Sequence, residues 1–239
     1  VENEPKNIVP IEQNKEDAFN HSIYRLNAAK RIEFQRNALS KVFDNKNYND
    51  WIIYSDSDEI PNLENIDFKK IKEKYLLFKQ NMFYYKFNLS LPNLNWYGSK
   101  ACQYKDLTSI SELRNIKTKK YGWWRLETIL KKNKFININI IKNGGWHFTE
   151  IKTPKEIFIK HSNDEHHDEF DKTGIFEENI KDMVKNRYIP YDHNIDQKEW
   201  KKKWNKDNRI KLSIVKDSML PKYLIDNNEK YSSWFDFKD

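Results

Sequence analysis

The sequence contains a single cysteine, Cys102, and only five glycines in 239 residues. One cysteine excludes an intrachain disulfide and removes the clustered thiolates that a structural zinc site usually needs, so a reducing compartment fits best. No stretch approaches the roughly 18 apolar residues of a membrane-spanning helix, and no secretory signal pattern opens the chain. We therefore expect a cytoplasmic protein with no transmembrane segment.

Aromatic residues and positive charge, by contrast, are plentiful. The 15% of Phe, Trp and Tyr is too high for a disordered chain, and 43 Lys and Arg against 36 Asp and Glu give a net charge of +7. That charge favours anionic partners such as nucleotide phosphates, nucleic acid or an anionic membrane surface. The length predicts one globular domain over residues 1–196, with a C-terminal extension over 197–239 that packs on it.

The hydrophobic pattern predicts helices interleaved with strands. Apolar residues recur at helical spacing over 18–43, which indicates a long amphipathic helix packed on a sheet. The apolar run 51–54 is typical of a strand that is buried on both faces, central and parallel. Further helices are predicted around 68–75, from a Thr153 N-cap with Glu156 as its capping-box partner, at 177–185 and at 197–204, and further strands at 83–87, 99–104 and 135–140. This order predicts an α/β fold with a mostly parallel sheet flanked by helices.

An acidic pair, Asp56 and Asp58, follows the predicted strand 51–54 directly. Ligands of open α/β sheets bind just beyond the carboxyl ends of the strands. Two carboxylates at that place suit Mn²⁺ or Mg²⁺, which keeps open positions for diphosphate oxygens, and Glu59 extends the cluster. The alternative is an acidic turn that caps the next helix, and the sequence leaves both interpretations open.

Histidine is concentrated in the second half of the chain, where five of the six residues lie between His147 and His193. In the densest stretch, 161–169, three interpretations stand side by side: a zinc site, a solvated polar loop, and an active-site segment in which Asp168 or Glu169 is a general base. The stretch lacks the His-Glu-x-x-His spacing of helical zinc sites, which weakens the first.

Two of the five glycines form the doublet Gly144-Gly145, followed by Trp146 and His147. The doublet permits close backbone approach to a ligand, with the Trp as a sugar platform and the His as a ligand or hydrogen-bond donor. The alternative, which the residues by themselves favour, is a structural turn between a strand and a helix with a packed Trp. Walker and Rossmann glycine motifs are absent from the sequence, so classical ATP or NAD chemistry is not expected.

A basic stretch runs from Lys198 to Lys216 and carries Trp200 and Trp204 at i, i+4 spacing. Such a pair usually marks one helix face packed on the protein, with the lysine stems covering its edges. The same stretch supports the rival hypothesis of contact with nucleic acid or a membrane surface.

Seven segments, taken in order, resemble glycosyltransferase family 17, the family of the β-1,4-mannosyl-glycoprotein β-1,4-N-acetylglucosaminyltransferases. They are FQRN at 34–37, SDSDEIP at 55–61, FYY at 83–85, WYGSK at 96–100, LR at 113–114, GGWHF at 144–148 and HDEF at 167–170. The order and spacing agree from about residue 30 to 190, and the acidic and GWHF segments together are the most specific.

The resemblance implies a GT-A type fold, a UDP-sugar donor (UDP-GlcNAc in known activities), a glycan or glycolipid acceptor, Mn²⁺ or Mg²⁺, and inversion at the anomeric carbon. It implies that Asp56 and Asp58 hold the metal on the diphosphate, with His147 or His193 completing the metal shell. Asp168 or Glu169 would deprotonate the acceptor hydroxyl. The segments also supply the expected substrate-binding residues, which are Glu59, Trp96, Lys100, Arg114, Gly144, Gly145, Trp146 and His167.

One feature departs from the family. Its members have an upstream segment that supplies the first strands and part of the nucleotide pocket, whereas little here precedes the long helix. Either the sequence is a fragment or its nucleotide site is incomplete. The leading expectation is thus an inverting, metal-dependent glycosyltransferase, and the alternatives are a basic nucleic-acid-binding protein and an inactive glycan-binding scaffold.

Overall fold

The computed structural model describes residues 4–12, 17–43, 47–118, 137–164, 167–195 and 199–237. The α-helices are α1 (Asp17–Ala38), α2 (Ile110–Arg114), α3 (Pro154–His161), α4 (His167–Asp171), α5 (Glu177–Lys185), α6 (Trp200–Lys203) and α7 (Lys222–Asp226). The strands are β1 (Trp51–Tyr54), β2 (Glu59–Pro61), β3 (Tyr75–Tyr84), β4 (Leu89–Ser90), β5 (Trp96–Gln103), β6 (Ile138–Ile141), β7 (Gly145–Thr149), β8 (Tyr188–Ile189), β9 (Ile210–Lys211) and β10 (Ser213–Ile214). Within the described ranges, every helix is too short or too polar to cross a bilayer.

The chain divides into two compact units. The first unit contains Val1–Val9, Asn27–Asn81 and Asn95–His147. The second unit contains Pro10–Leu26, Met82–Leu94 and Phe148–Asp239. Each unit buries apolar side chains of its own, and this burial stabilises each unit.

Strand β3 is the centre of the sheet in the first unit. It pairs antiparallel with β5, from Tyr75 opposite Cys102 to Gln80 opposite Trp96, and parallel with β6. Strand β1 lies beyond β5 and pairs with it antiparallel, while β2 pairs antiparallel with the start of β7. The first unit therefore has a mixed sheet in which β3 separates two layers of side chains.

Alternating residues of β3 build the two layers. Tyr75 and Leu77 face a cluster that includes residues of β5, α2 and β6, whereas Leu76 and Phe78 pack with Ala101 on the opposite face. These four side chains at the start of β3 are all buried. Burying a Leu or Phe side chain contributes about 1.5–3 kcal/mol, so this short segment supplies a large share of the unit's hydrophobic stabilisation.

The second unit combines short antiparallel pairings with helices. Phe83, near the end of β3, lies opposite Ser90 of β4, β10 pairs with β4, and β8 pairs separately with β9. Helix α3 begins at the predicted capping box: Glu156 N donates to the Thr153 hydroxyl and Thr153 N donates to the Glu156 carboxylate. The predicted N-terminus of α3 is therefore confirmed. It could be predicted because the capping box depends on only four consecutive residues.

The predicted α/β class is confirmed at the level of a mixed α/β protein, but the prediction of a mostly parallel sheet is wrong. Among the described strand pairs whose register is defined, only β3 with β6 is parallel. The prediction for 51–54 is wrong in the same way, since β1 is a half-buried antiparallel strand at the end of the sheet path. The strand with the predicted properties is β3, which is buried on both faces and has a parallel neighbour.

Other boundaries agree or shift. The helices predicted at 18–43 and 177–185 are present, the first as α1 and a following 3-10 turn, Leu39–Phe43. The helix predicted around 68–75 is a single 3-10 turn, Phe68–Lys70, and the strand predicted at 83–87 ends at Tyr84. Residues 135–136 of the strand predicted at 135–140 lie outside the described residues, as do 197–198 of the helix predicted at 197–204.

Candidate functional site

The acidic motif forms a tight turn between β1 and β2 in the first unit. Glu59 N donates to the backbone carbonyl of Asp56 at 3.0 Å, and Asp56 N donates to the Glu59 carboxylate at 3.2 Å. The turn follows the carboxyl end of β1, as expected from the sequence. It leads into a strand and not a helix, so the alternative in which the acids cap a following helix is wrong.

Arg114 joins the two carboxylates at the ends of this turn. Its guanidinium donates to both Glu59 oxygens, at 3.0 and 2.8 Å, and to Asp56 Oδ2 at 2.6 Å. Trp96 Nε1 donates to the same Glu59 carboxylate at 2.9 Å. The Glu59 side chain is fully buried and accepts several hydrogen bonds, which is the condition under which a buried charge is tolerated.

Asp56 is shared between three cationic or hydroxyl groups. Besides Arg114, Arg36 Nη2 lies 3.5 Å from Asp56 Oδ2, and the Tyr54 hydroxyl donates to Oδ1 at 2.6 Å. Arg36 also donates to the Tyr54 oxygen at 3.2 Å. Burial, together with the hydrogen bond to Asp56, raises the pKa of Tyr54, so the phenol keeps its proton and remains a donor. Asp56 thus holds two arginines at the end of β1.

Short-range contacts fix Arg114 at the end of α2. Ser109 caps this helix by accepting from Glu112 N at 3.1 Å, and Asn37 of α1 accepts from Ser111 N at 3.1 Å. At the other end, Lys100 Nζ donates to the carbonyl of Arg114 and, at 2.7 Å, to that of Ile116. The predicted substrate-binding residue Lys100 is therefore buried behind Arg114.

Asp58, the middle acid of the motif, contacts His147 of β7. Asp58 Oδ2 and His147 Nε2 are 3.2 Å apart, and the β2–β7 pairing places Glu59 directly opposite His147. The indole of Trp96 lies against the imidazole, with 4.8 Å between ring centroids and an interplanar angle of 32°. His147 is buried, and among the described residues its Nδ1 has no hydrogen-bond partner, while the Asp58 side chain is 38% exposed.

The two glycines that precede Trp146 and His147 lie where backbone segments approach each other closely. A Cβ at Gly145, whose φ is +124°, would overlap the Ile60 carbonyl, and a Cβ at Gly144 would overlap the backbone of β3 at Phe78 and Lys79. Both glycines are therefore required by close approach of strands, and Trp146 lies opposite Ile60 in the β2–β7 pair. The doublet presses β7 against β2 and β3, which sets the position of His147.

The remaining predicted residues belong to the second unit. Glu169 is 1% exposed, and its carboxylate lies 3.2 Å from Arg25 Nη2. His167 Nδ1 is 2.9 Å from the Asp164 carbonyl, and the His193 ring nitrogen Nε2 is 2.6 Å from the Tyr84 hydroxyl. The side chain of Asp168 lies outside what the structure describes. The assignment of Asp168 or Glu169 as the base stays a prediction.

Asp58 and His147, which contact each other directly, carry oxygen and nitrogen donors of the kinds that divalent cations can take as ligands. Two ligands at right angles around an ion with metal–ligand distances of about 2.1 Å lie about 3.0 Å apart, close to the observed carboxylate–imidazole separation. Within the described ranges there is no group of three or more His, Cys, Asp or Glu residues placed to hold a metal ion. A metal held by these two side chains would need its other ligands from substrate or water, as Mg²⁺ and Mn²⁺ commonly do.

Three residues at this site had no assigned role in the sequence interpretation: Arg36, Tyr54 and Gly98. Arg36 and Gly98 lie inside family-like segments, which is the signal that singles them out. Arg114 also donates to the Gly98 carbonyl, and a Cβ at Gly98 would overlap the side chains of Gln80 and Glu59. Gly98 is therefore needed for the Glu59–Arg114 contact to form.

The basic C-terminal stretch is engaged within the second unit. Lys203 is buried, donates to the Ile195 carbonyl at 2.9 Å and lies over the Tyr191 ring. Lys202 pairs with Glu199 at 2.6 Å, and Arg209 lies over the Tyr188 ring. The side chain of Trp200 is outside the described part of the chain.

Comparison with known proteins gave no match to any protein-family model, curated protein or solved structure.

Proposed function

We propose that this chain is an inverting, divalent-metal-dependent glycosyltransferase that moves a sugar, expected to be N-acetylglucosamine, from a UDP-sugar to a hydroxyl of a glycan or glycolipid. The observation that carries the proposal is the pairing of Asp58 with His147 beside a carboxylate–arginine network at the end of β1. Metal donors and cations at one place suit a pyrophosphate, which needs both. The family resemblance supplies the identity of the donor and the direction of transfer.

The contacts favour a division of labour inside the acidic motif. Asp58 and His147 would hold the metal, and the bound ion would neutralise the charge that builds on the leaving diphosphate. Asp56 acts as a positioning residue, because it orients Arg114 and Arg36. The prediction that Asp56 is itself a metal ligand remains, but its oxygens already accept from Tyr54 and Arg114.

The positions of the charged side chains suggest what each would do in the proposed reaction. Guanidinium groups are planar multi-donor cations that match phosphate oxygens, so Arg36 and Arg114 would orient the diphosphate and keep it in place as the sugar bond breaks. Trp96 covers His147 on one face, which excludes water from that side of the imidazole. The acceptor hydroxyl needs a carboxylate base, and Glu169 or Asp168 stays the candidate.

Calorimetric titration of Mn²⁺ and UDP-GlcNAc into the full chain tests the proposal. We expect UDP binding that requires the metal, weakened about a hundredfold or more by Asp58→Asn and about 10–100-fold by Asp56→Asn, since a ligand is lost in one case and its supporting contacts in the other. Asp226→Asn, at an exposed position of α7, is the matched control and should bind as the wild type does. Absence of UDP binding with either metal, or unchanged binding by Asp58→Asn, would reject the assignment.

The two alternatives predict different results. A nucleic-acid-binding protein would bind DNA or RNA with an affinity that falls steeply with salt. In the basic stretch, Lys203 is buried within the second unit, whereas the side chains of Lys202 and Arg209 are 73% and 60% exposed. A glycan-binding scaffold would bind sugar without binding UDP or transferring anything.

A further inference from the structure

The second unit contains a cavity of about 200 Å³ that the proposed transfer site does not use. Its floor is apolar, formed by buried side chains of α3, α5 and β8 that include Ile157, Ile180 and Ile189. Pockets for drug-sized ligands measure about 300–1,000 Å³, so this volume suits one small ring and not an oligosaccharide or a nucleotide.

A buried acid lies in the wall of this cavity. The Glu150 side chain is 10% exposed and accepts a hydrogen bond from His161 Nε2 at 2.7 Å. Burial acts to raise the pKa of Glu150, but the hydrogen bond and charge of His161 outweigh it, so the pKa is lowered and the group is a carboxylate. Glu150 also has a φ of +56°, a conformation that residues other than glycine rarely adopt. Such local strain concentrates at ligand sites, where the surrounding structure enforces it.

Hydroxyl and imidazole groups line the same wall. The Tyr84 hydroxyl and His193 Nε2 are 2.6 Å apart, and both residues line the cavity. Burial, reinforced by the charge of Glu150, raises the pKa of Tyr84 well above its ordinary value, so its phenol stays protonated. The wall thus presents groups that both donate and accept hydrogen bonds.

Aromatic rings supply the third element. Trp204 packs edge-on against Tyr191, with 4.7 Å between centroids, and against His161 at 5.2 Å, and all three line the cavity. Trp and Tyr combine a large apolar surface with a polar edge. A cavity with aromatic walls and an accepting carboxylate matches the two surfaces of a pyranose, an apolar face of C–H groups and a rim of hydroxyls.

The charges select against anionic ligands. Glu150 and Asp164 both line the cavity, and either would face a phosphate or a carboxylate ligand with like charge. Lys160 also lines the cavity, and the imidazole of His161 already donates to Glu150. A neutral ligand whose hydroxyls donate to Glu150 is favoured over a nucleotide.

We propose that the cavity lined by Glu150, His161, Tyr191, His193 and Trp204 binds one pyranose ring of a neutral carbohydrate. The site requires neither metal nor nucleotide, so the inference goes beyond the proposed transfer function and does not depend on it. Because a pyranoside has about a dozen heavy atoms, the expected dissociation constant is on the order of 1 mM.

The test is ligand-observed NMR on the full chain in EDTA and without UDP. Methyl glycosides of glucose, galactose, mannose and N-acetylglucosamine are titrated separately, with uridine as the aromatic comparison. We expect saturation transfer to at least one pyranoside, strongest on the C–H protons of one ring face, and none to uridine. If no pyranoside binds, or if uridine binds in their place, the inference is overturned.

Two pairs of variants tie the binding to the cavity. Glu150→Gln preserves size and should weaken pyranoside binding about tenfold or more, because a charge-assisted acceptor is lost, whereas Glu178→Gln, at an exposed position of α5, should not. Trp204→Leu should lower affinity by a similar factor, and Trp234→Leu, which lies outside the cavity, should leave it unchanged. Equal binding by both members of each pair overturns the inference. Circular dichroism and thermal melting confirm that each variant is folded.

The result is separable from the transfer hypothesis. Metal-dependent UDP binding without pyranoside binding would keep the proposed function and reject this site. Pyranoside binding in EDTA without any UDP binding would keep this site and reject the transferase.

Discussion

Lys100 is a buried lysine whose amine donates to two backbone carbonyls behind Arg114. Burial, with a further contribution from the Arg114 charge, lowers the pKa of Lys100 from 10.5 to about 7. A neutral amine still has two N–H donors, so both hydrogen bonds persist after the proton leaves. The residue can therefore support Arg114 in either protonation state, but it costs stability when charged.

The sign of the pH dependence follows from proton binding. Between about pH 7 and 10.5 the unfolded chain keeps the Lys100 proton and the folded chain has lost it, so the free energy of unfolding rises with pH, by up to about 1.4 kcal/mol per unit. Lys100→Met lacks this contribution. Urea unfolding at several pH values should show the wild type gaining stability relative to the variant as pH rises through this window. Parallel pH profiles would contradict the prediction.

Cys102 is a buried thiol one residue before the end of β5, paired with Ile52 of β1 and with Tyr75 of β3. Burial raises the pKa of the Cys102 thiol from 9.0 to about 12. Because the thiolate is the nucleophile, we expect native labelling by a disulfide reagent to be at least about a thousandfold slower than labelling of the unfolded chain. Rapid labelling under native conditions would show that β1 or β3 opens readily.

At the scale of elements, local signals were the ones that could be read from sequence. The capping box of α3 and the length of α1 depend on neighbouring residues, and both were predicted. The order of strands depends on distant pairings, and a short apolar run such as 51–54 cannot show whether one or both faces are buried. Strand β3 was missed before residue 83, because the charged residues Lys72 to Lys74 directly precede it and the predicted helix extended over its start.

The candidate site shows the same contrast between features that neighbouring residues determine and features that depend on distant parts of the chain. Asp56, Asp58 and Glu59 are adjacent in sequence, and their location at a strand end was predicted. Their partners come from elsewhere: Arg36 from α1 and Arg114 from the end of α2. No local pattern reveals that Asp56 faces arginines while Asp58 faces an imidazole, since that division depends on three-dimensional pairing.

The glycines allow a matched test of the β2–β7 pairing. Gly145 has a φ of +124° and no room for a Cβ, whereas Gly174 has a φ of +68° and nothing within 4 Å of the added atom. Gly174→Ala should lower the free energy of unfolding by about 1–2 kcal/mol, the cost of placing a residue with a Cβ in a left-handed conformation. Gly145→Ala adds overlap with the Ile60 carbonyl, worth about 1–3 kcal/mol more. Urea unfolding measures both variants, and equal costs would argue against the close strand approach.

Asp236 makes several of the contacts that hold the segment around residue 236 to the rest of the second unit. Its carboxylate accepts two hydrogen bonds from Arg187, at 2.8 and 2.7 Å, and its backbone exchanges two with the buried Asn88 side chain. Asn88→Ala should cost about 1–3 kcal/mol by leaving backbone groups without partners. Glu178→Gln, which removes an exposed pair with Lys181, should cost less than about 0.5 kcal/mol. Faster proteolysis near residue 230 in Asn88→Ala would locate the effect, and similar losses in both variants would contradict it.

At the scale of the whole molecule, the two compact units divide the candidate chemistry. The residues proposed to bind the metal and the diphosphate, Asp58, His147, Arg36 and Arg114, belong to the first unit, and the described residues that line the proposed pyranose cavity belong to the second. If both proposals hold, the chain binds two unlike ligands, a metal-bound diphosphate in the first unit and a neutral sugar in the second. A transferase needs that combination, while a scaffold needs only the second.

We therefore predict that a substitution at either site weakens the binding of one ligand and leaves the binding of the other unchanged. Because the two sets of side chains share no residue, Asp58→Asn should weaken metal-dependent UDP binding about a hundredfold or more and leave pyranoside binding within about twofold of the wild type. Glu150→Gln should weaken pyranoside binding about tenfold or more and leave UDP binding unchanged, and the double variant should show, for each ligand, the loss caused by the one relevant substitution. Calorimetry with UDP and Mn²⁺, and NMR with the pyranoside in EDTA, measure the two on the same preparations. If Asp58→Asn lowers pyranoside affinity as strongly as Glu150→Gln does, the sugar is bound with help from the first unit, and the cavity alone does not account for recognition.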